Sequence, residues 1–117
     1  MTQCVFCRMI AREIPVSPVY EDEHVIAFDD IAPQAPVHTL IVPKQHVVNL
    51  SDSIAPELLA ALFGAIPAVA RAKGVAESGY RIIVNNGPDA RQTVQHLHLH
   101  LIGGRDMVHG MVRFADD

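Results

Sequence analysis

The run from His96 to Ile102, His-Leu-His-Leu-His-Leu-Ile, constrains this chain more than any other stretch of it. In an extended strand alternate side chains go to opposite faces, so His96, His98 and His100 share one surface while Leu97, Leu99 and Leu101 point into a core. With seven histidines in 117 residues, chance would place such a run about 0.02 times in a chain of this length, so coincidence explains it poorly. A plain solvated strand face could be built from Thr, Lys or Glu, without three groups that titrate near neutrality.

The rest of the chain supplies partners for that strand. Cys4 to Ile14 carries Val5, Met9 and Ile10 and stops at Pro15, which predicts a short opening helix. From Val19 to Asp30 two β-rich runs flank the acidic break Glu21-Asp22-Glu23, the pattern of a hairpin. A loop with Pro33 and Pro36 then leads into a strand from Val37 to Val42. Pro56 suits a first helical turn, after which Leu58, Leu59, Leu62, Phe63, Ile66, Val69 and Ala70 recur at helical spacing until Gly74. Pro67 lies inside this main helix and predicts a kink. Strands are expected at Tyr80 to Asn85 and Val94 to Ile102, separated by the turn-rich residues 86–90. The sum is an α+β fold: a five-stranded, mainly antiparallel sheet with one main helix and a short N-terminal helix. Residues 1–117 read as a single domain, without repeats or low-complexity segments.

Composition narrows the function. Nine Lys and Arg are spread among thirteen Asp and Glu, for a net charge of −4. No basic patch marks a nucleic-acid or anionic-membrane partner, although a small phosphorylated ligand fits. No basic-then-apolar leader and no membrane-length apolar run occurs, so a cytoplasmic protein is expected. Cys4 and Cys7, spaced as CxxC, are too few for a secreted disulfide framework and point to metal or redox chemistry. They precede the first strand, which disfavours a thioredoxin-like pair.

Two chemistries compete for three clustered imidazoles. One is a catalytic transition-metal site completed by Asp or Glu. The other is metal-free catalysis in which one imidazole attacks and another moves a proton. The wider sequence bears on the choice. HLHLHLI, the opening VFCRMIAREIP, the hairpin VYEDEHVIAFDD, then IAPQAPVHTLIVPKQH, YRIIVNNG, RQTVQHLHLH and GGR together resemble the histidine triad (HIT) family, most closely its Hint branch. These blocks run in order along nearly the whole chain and are more specific than the triad alone.

The resemblance implies a HIT-like fold and an enzyme that cleaves the α-phosphate of purine nucleoside phosphoramidates or related nucleotide conjugates through a nucleotidyl-histidine intermediate. His98 would be the nucleophile, held neutral with its other nitrogen on an acceptor such as a backbone carbonyl. His100 would contact the phosphate and relay a proton to the leaving group, with His38 shuttling protons beside it. Thr93, where Hint proteins usually have Ser, together with Gln92 and Asn85, would serve the phosphate side. Asp30 would accept the ribose hydroxyls. Ile31, Phe28, Phe6, Ile14 and Leu40 would form an apolar slot for the base, though each alone reads as ordinary core. Bacterial relatives further imply structural Zn2+ on Cys4, Cys7, His46 and His96, with His96 orienting His98 while it holds metal and no catalytic metal or organic cofactor required.

Two departures stand out: Arg91 occupies a position where the Hint branch commonly has Gly, and the ending Val112-Arg-Phe-Ala-Asp-Asp lacks the Trp-containing tail of some relatives. The family implies a homodimer, for which Ala61, Gly64, Ala65, Ala68 and Ala72 offer a small-residue strip on the main helix. A non-catalytic nucleotide-binding regulatory module is the competing function class. His24 and His109 have no assigned role.

Overall fold

The structure, a computed structural model, describes residues 3–109, so the C-terminal departure at Val112 to Asp117 lies outside the described residues. The described elements are α1 (Val5–Ile10), β1 (Tyr20–Glu21), β2 (Val25–Asp29), β3 (Val37–Pro43), α2 (Pro56–Gly64), α3 (Ile66–Ala72), β4 (Tyr80–Ile83), a 3-10 turn (Pro88–Ala90) and β5 (Leu99–Gly103). The strands form one antiparallel sheet in the order β1-β2-β3-β5-β4. The expected α+β architecture is therefore present. No described helix is long and apolar enough to cross a membrane.

Alternation on the strands divides the sheet into two chemically different faces. Val25, Ala27, Ile41, Leu99 and Leu101 pack with Leu58, Leu62 and Val69 of the helices, and Leu97 joins them. Ile26, Phe28, Leu40 and Val42 face the other way and are covered by Phe6, Met9 and Ile10 of α1. His38 and His100 belong to this second face: His38 pairs with Ile102 and Leu40 with His100.

Local chemistry sets the element ends, and four features differ from expectation. Helix α1 stops at Ile10 rather than near Pro15, because Arg12 takes the left-handed conformation (φ 63°). Arg12 N–H then reaches Met9 O at 3.1 Å and Glu13 N–H reaches Arg8 O at 2.9 Å, the paired bonds of a Schellman cap. The main helix is broken at Ala65 into α2 and α3 instead of merely kinked. Pro67 lacks the N–H that would continue the ladder and opens the first turn of α3, a position proline tolerates. Its end is as expected: Gly74, with φ 74°, closes a second Schellman cap in which Val75 N–H bonds Ala70 O at 3.0 Å.

The third difference matters most. The ladder of β5 begins at Leu99, so His96 and His98 precede it in irregular backbone, although the Leu-inward, His-outward sorting persists. Continuing the β3 register would bring Leu97 opposite Pro43, which has no N–H to donate. Strand β4 likewise ends at Ile83, two residues before Asn85. The small-residue strip on the main helix does not form one exposed face. Ala65 is buried, Ala61 and Ala68 are half-buried, and only Gly64 and Ala72 are exposed. The break at Ala65 turns that residue into the core.

Candidate active site and metal centre

Cys4 caps α1, its Sγ accepting the Cys7 N–H at 3.4 Å, so both thiols stand at the start of one short helix. His46 follows β3, and His96 precedes β5. These four side chains meet. His96 Nδ1 lies 3.3 Å from Cys4 Sγ, 3.6 Å from Cys7 Sγ and 3.1 Å from His46 Nδ1, and Cys7 Sγ lies 3.2 Å from His46 Nδ1. A tetrahedral zinc ion spaces its sulfur and nitrogen ligands by roughly 3.3–3.8 Å, so the donor set fits within a few tenths of an ångström. The tautomer fits too. His96 Nε2 is 2.8 Å from Pro43 O, which can only accept, so Nε2 carries the proton and Nδ1 offers its lone pair. Burial, helped by the neighbouring His46 and His98, holds His96 below the ordinary histidine value against the opposing Pro43 bond, which keeps the ring neutral.

On the same face, His98 is buried and donates from Nδ1 to His96 O at 2.7 Å. Its Nε2 therefore bears the lone pair, while the edge of Phe6, with ring centroids 5.2 Å apart, fixes the imidazole plane. Next in line, His38 accepts the Gln34 N–H on Nδ1 at 2.9 Å, which leaves Nε2 as the protonated nitrogen. That nitrogen faces His100 Nδ1 at 2.9 Å and Asp30 Oδ2 at 3.4 Å. Asp30, His38 and His100 thus form a hydrogen-bonded string, since a metal ion would need the lone pair that His38 Nε2 does not have. Burial, with His98 and His38 adding to it and Asp30 opposing, pushes His100 down to about 4.

Beside His98 and His100 opens a cavity of about 270 Å³ walled by Val5, Phe6, Met9, Phe28, Leu40 and Val94, with Asp29, Asp30 and Ile31 at its edge. Small-molecule cavities run from about 300 Å³ upward, so this one suits a nucleobase-sized group. Phe6 meets Phe28 edge-on at 5.6 Å, and Ile31 is fully exposed at the rim. The structure thus joins Phe6, Phe28, Leu40, Ile31 and Asp30 to two of the triad histidines. Ile14 does not line the cavity, because the cap at Arg12 ends the helix before it. Val5, Met9 and Val94 were not singled out from the sequence, although Val5 and Met9 flank Phe6 on the one-turn spacing of a shared helix face.

Asn85, Gln92 and Thr93 stand outside this cavity. Thr93 instead shares a second recess of about 520 Å³ with Cys4 and His46, separated from the first by Val5 and Val94. Gln92 is buried and its amide is fully used: Nε2 donates to Val48 O at 2.7 Å and Val94 O at 3.1 Å. Its Oε1 accepts from Gly87 N–H at 3.0 Å and Asn49 Nδ2 at 3.2 Å. That side chain braces the loop. Arg91 takes φ 62°, ψ 41°, which explains why glycine suits this position. His24 is exposed and meets Glu23 at 3.1 Å, away from the site. A further recess of about 630 Å³, lined by Gly79 and Gly104 among others, holds none of the candidate residues.

Comparison with known proteins agrees with this arrangement. The family model described as HIT domain matches residues 11–107. A solved HIT family hydrolase from Clostridium thermocellum superimposes with a TM-score of 0.91 at 47% identity, covering 96% of this chain and 99% of its own. A 14 kDa zinc-binding protein of Zea mays is 45% identical over 107 residues, 88% of this chain and 83% of its own length. Adenylylsulfatase HINT1 of Arabidopsis thaliana is also 45% identical over 107 residues, 88% of this chain and 72% of its own. With the histidine-bearing face, the two-sided sheet and these matches in agreement, the chain belongs to the HIT domain family.

Proposed function

We propose that this protein is a nucleotidyl hydrolase or transferase that cleaves the α-phosphate bond of purine nucleoside phosphoramidates or related adenylyl conjugates. The observation that carries the reading is His98, whose Nδ1–H is committed to His96 O at 2.7 Å while the ring borders an apolar cavity edged by Asp30. A neutral imidazole fixed in that tautomer is a nucleophile needing no metal activation. In the first displacement the bond from His98 Nε2 to phosphorus forms as the bond to the leaving amine breaks. The amine departs with a proton from His100, which enters the step as the imidazolium and leaves it neutral, with His38 beside it in the proton relay. In the second, water opens the His98–phosphorus bond and returns a proton to His100. The anionic phosphate offsets the burial that otherwise keeps His100 neutral.

Binding follows the same map. Phe6, Phe28, Leu40 and Met9 hold the base, with Ile31 closing over it, and Asp30 accepts the ribose hydroxyls while its Oδ1 stays anchored by the Ala32 N–H at 2.9 Å. Thr93 and Asn85 serve the phosphate, with Gln92 bracing their loop. Cys4, Cys7, His46 and His96 would hold Zn2+, which when bound cross-links α1 to the segments around β3 and β5 with no open coordination position. The name of the maize relative supports zinc, and that of the Arabidopsis relative supports adenylyl conjugates. We further propose a homodimer, with the exposed Phe63 of α2 in its interface. His98→Ala tests the reading: turnover of adenosine phosphoramidate should vanish while nucleotide binding persists. Retained turnover would refute the nucleophile assignment, and binding without turnover in the unaltered protein would favour a regulatory module.

A further inference from the structure

The contact between His38 and His100 has room for a single proton. Gln34 N–H points at His38 Nδ1 at 2.9 Å and has no proton to pass on, so His38 is held as the Nε2–H tautomer and donates to His100 Nδ1 at 2.9 Å. The proposed reaction asks something else of His100. As the imidazolium it carries a proton on each nitrogen, and once Nε2 has given one to the leaving amine the other is still on Nδ1. Two protons do not fit in one 2.9 Å contact between nitrogens, so in both forms the His38 proton needs another acceptor.

Asp30 offers one. Its Oδ2 lies 3.4 Å from His38 Nε2, its Oδ1 is anchored by Ala32 N–H at 2.9 Å, and its own N–H bonds His38 O at 2.9 Å. Side chain and backbone thus hold the carboxylate against this ring. The other groups around His100 are committed elsewhere or apolar. His98 Nδ1–H is spent on His96 O, and α1 presents only Val5, Phe6 and Met9 to the shared cavity. Asp29, at the cavity edge, is turned to Lys73 Nζ at 2.9 Å and Thr39 Oγ1 at 2.8 Å. Burial, then His98 and His38, disfavour the His100 cation, and the charge of Asp30 favours it.

We infer that Asp30 has a second part beyond any contact with ribose: acting through His38, it is the positioning residue that lets His100 serve as the acid. As His100 charges, its Nδ1 gains a proton from solvent. His38 keeps its own proton and turns it from His100 Nδ1 to Asp30 Oδ2, and the carboxylate stands as the counter-charge to the new imidazolium. His100 Nε2 then gives its proton to the departing amine. Protons balance, because His38 and Asp30 end the step as they began and the proton taken from solvent equals the one that leaves on the amine. The inference rests on the proposed phosphoramidate reading, and its test separates the two.

Asp30→Asn isolates the effect. The one amide oxygen is needed by Ala32 N–H, which leaves the amide nitrogen facing His38 Nε2–H, donor against donor. The substrate is 2′,3′-dideoxyadenosine phosphoramidate, whose lack of ribose hydroxyls removes the binding role from the comparison. On it the variant should lose about tenfold or more in kcat with KM held within about twofold. The limb on which kcat falls with rising pH should also move about one pH unit lower. An unchanged kcat and pH profile on this substrate, with the loss confined to binding of the ribose form, overturns the inference. A second measurement uses the unaltered chain and needs no turnover: nitrogen-15 NMR of the histidine rings as pH is lowered, first without nucleotide and then with AMP. His100 should gain its Nδ1 proton while His38 keeps Nε2–H and a bare Nδ1. A His38 proton that moves to Nδ1 and displaces Gln34 N–H overturns the inference, whether or not the variant folds. A chain inactive on every phosphoramidate would sink the functional reading, while the ring titration still decides the part played by Asp30.

Discussion

Gln92→Ala separates a residue that braces the phosphate loop from one that touches substrate. The side chain is buried and holds four partners: Val48 O, Val94 O, Gly87 N–H and Asn49 Nδ2. A net hydrogen bond is worth about 1 kcal/mol, and a buried group left without its partner costs about 1–3 kcal/mol. Asn49 lies in a half-buried loop where water replaces part of what is lost. The two carbonyls and the Gly87 amide bear most of the cost, for a total of about 2–4 kcal/mol. For a domain of this size, with about 4 °C lost per kcal/mol, the melting temperature should drop by roughly 8–16 °C. The assay is thermal denaturation followed by circular dichroism, paired with nucleotide affinity measured well below the transition. Affinity should change little where the fold is intact. A variant that melts within about 3 °C of the parent yet binds nucleotide tenfold more weakly would refute the bracing argument and return Gln92 to the substrate.

Three further outcomes follow from single residues. Arg91 is exposed and left-handed at φ 62°, so Arg91→Gly should raise stability by about 0.5–1 kcal/mol, read as a small rise in melting temperature; a fall would show that the guanidinium makes a stabilising contact. His100 is depressed from 6.5 to about 4, so the unfolded chain binds more protons between those values, and stability should rise with pH across that window and fall on acidification through it. Urea denaturation at several pH values should show this slope, and His100→Asn should reduce it, His96 supplying the remainder; an unchanged slope would contradict the burial argument. Asp30→Asn should weaken a ribonucleotide about tenfold more than its 2′,3′-dideoxy counterpart, measured by calorimetry, and equal losses would move the ribose contact elsewhere.

Much of this was legible in the chain because alternation is a local signal. HLHLHLI sorts three leucines from three histidines with no knowledge of the partner strand, and the faces it defines are those of the structure. The ladder's extent was not legible, because it depends on Pro43 standing opposite Leu97, a register that exists only once β3 and β5 pair. The early end of α1 rests on Arg12 adopting a left-handed conformation more usual for glycine or asparagine, and nothing in Ala-Arg-Glu announces it. Ile14, which the family resemblance put in the base slot, lies beyond that cap and does not line the cavity. Gln92 shows the opposite limit. Its position beside Thr93 marked it for function, but whether an amide is free for a ligand depends on the carbonyls packed around it, and here Val48 comes from a distant segment. The meeting of CxxC with His46 and His96 was visible only through family likeness, since residues 4 and 96 are brought together by the sheet.

The account's central claim is that His98 attacks phosphorus. Its most direct test is rapid-quench mass spectrometry of the enzyme mixed with adenosine phosphoramidate and stopped in alkali, where a phosphorus–imidazole bond survives. The account predicts an adenylyl mass on the peptide carrying His98, appearing before product and decaying as nucleotide is released. An adenylyl group on His96, His100 or His38, or product formed with no covalent species at any quench time, would contradict it.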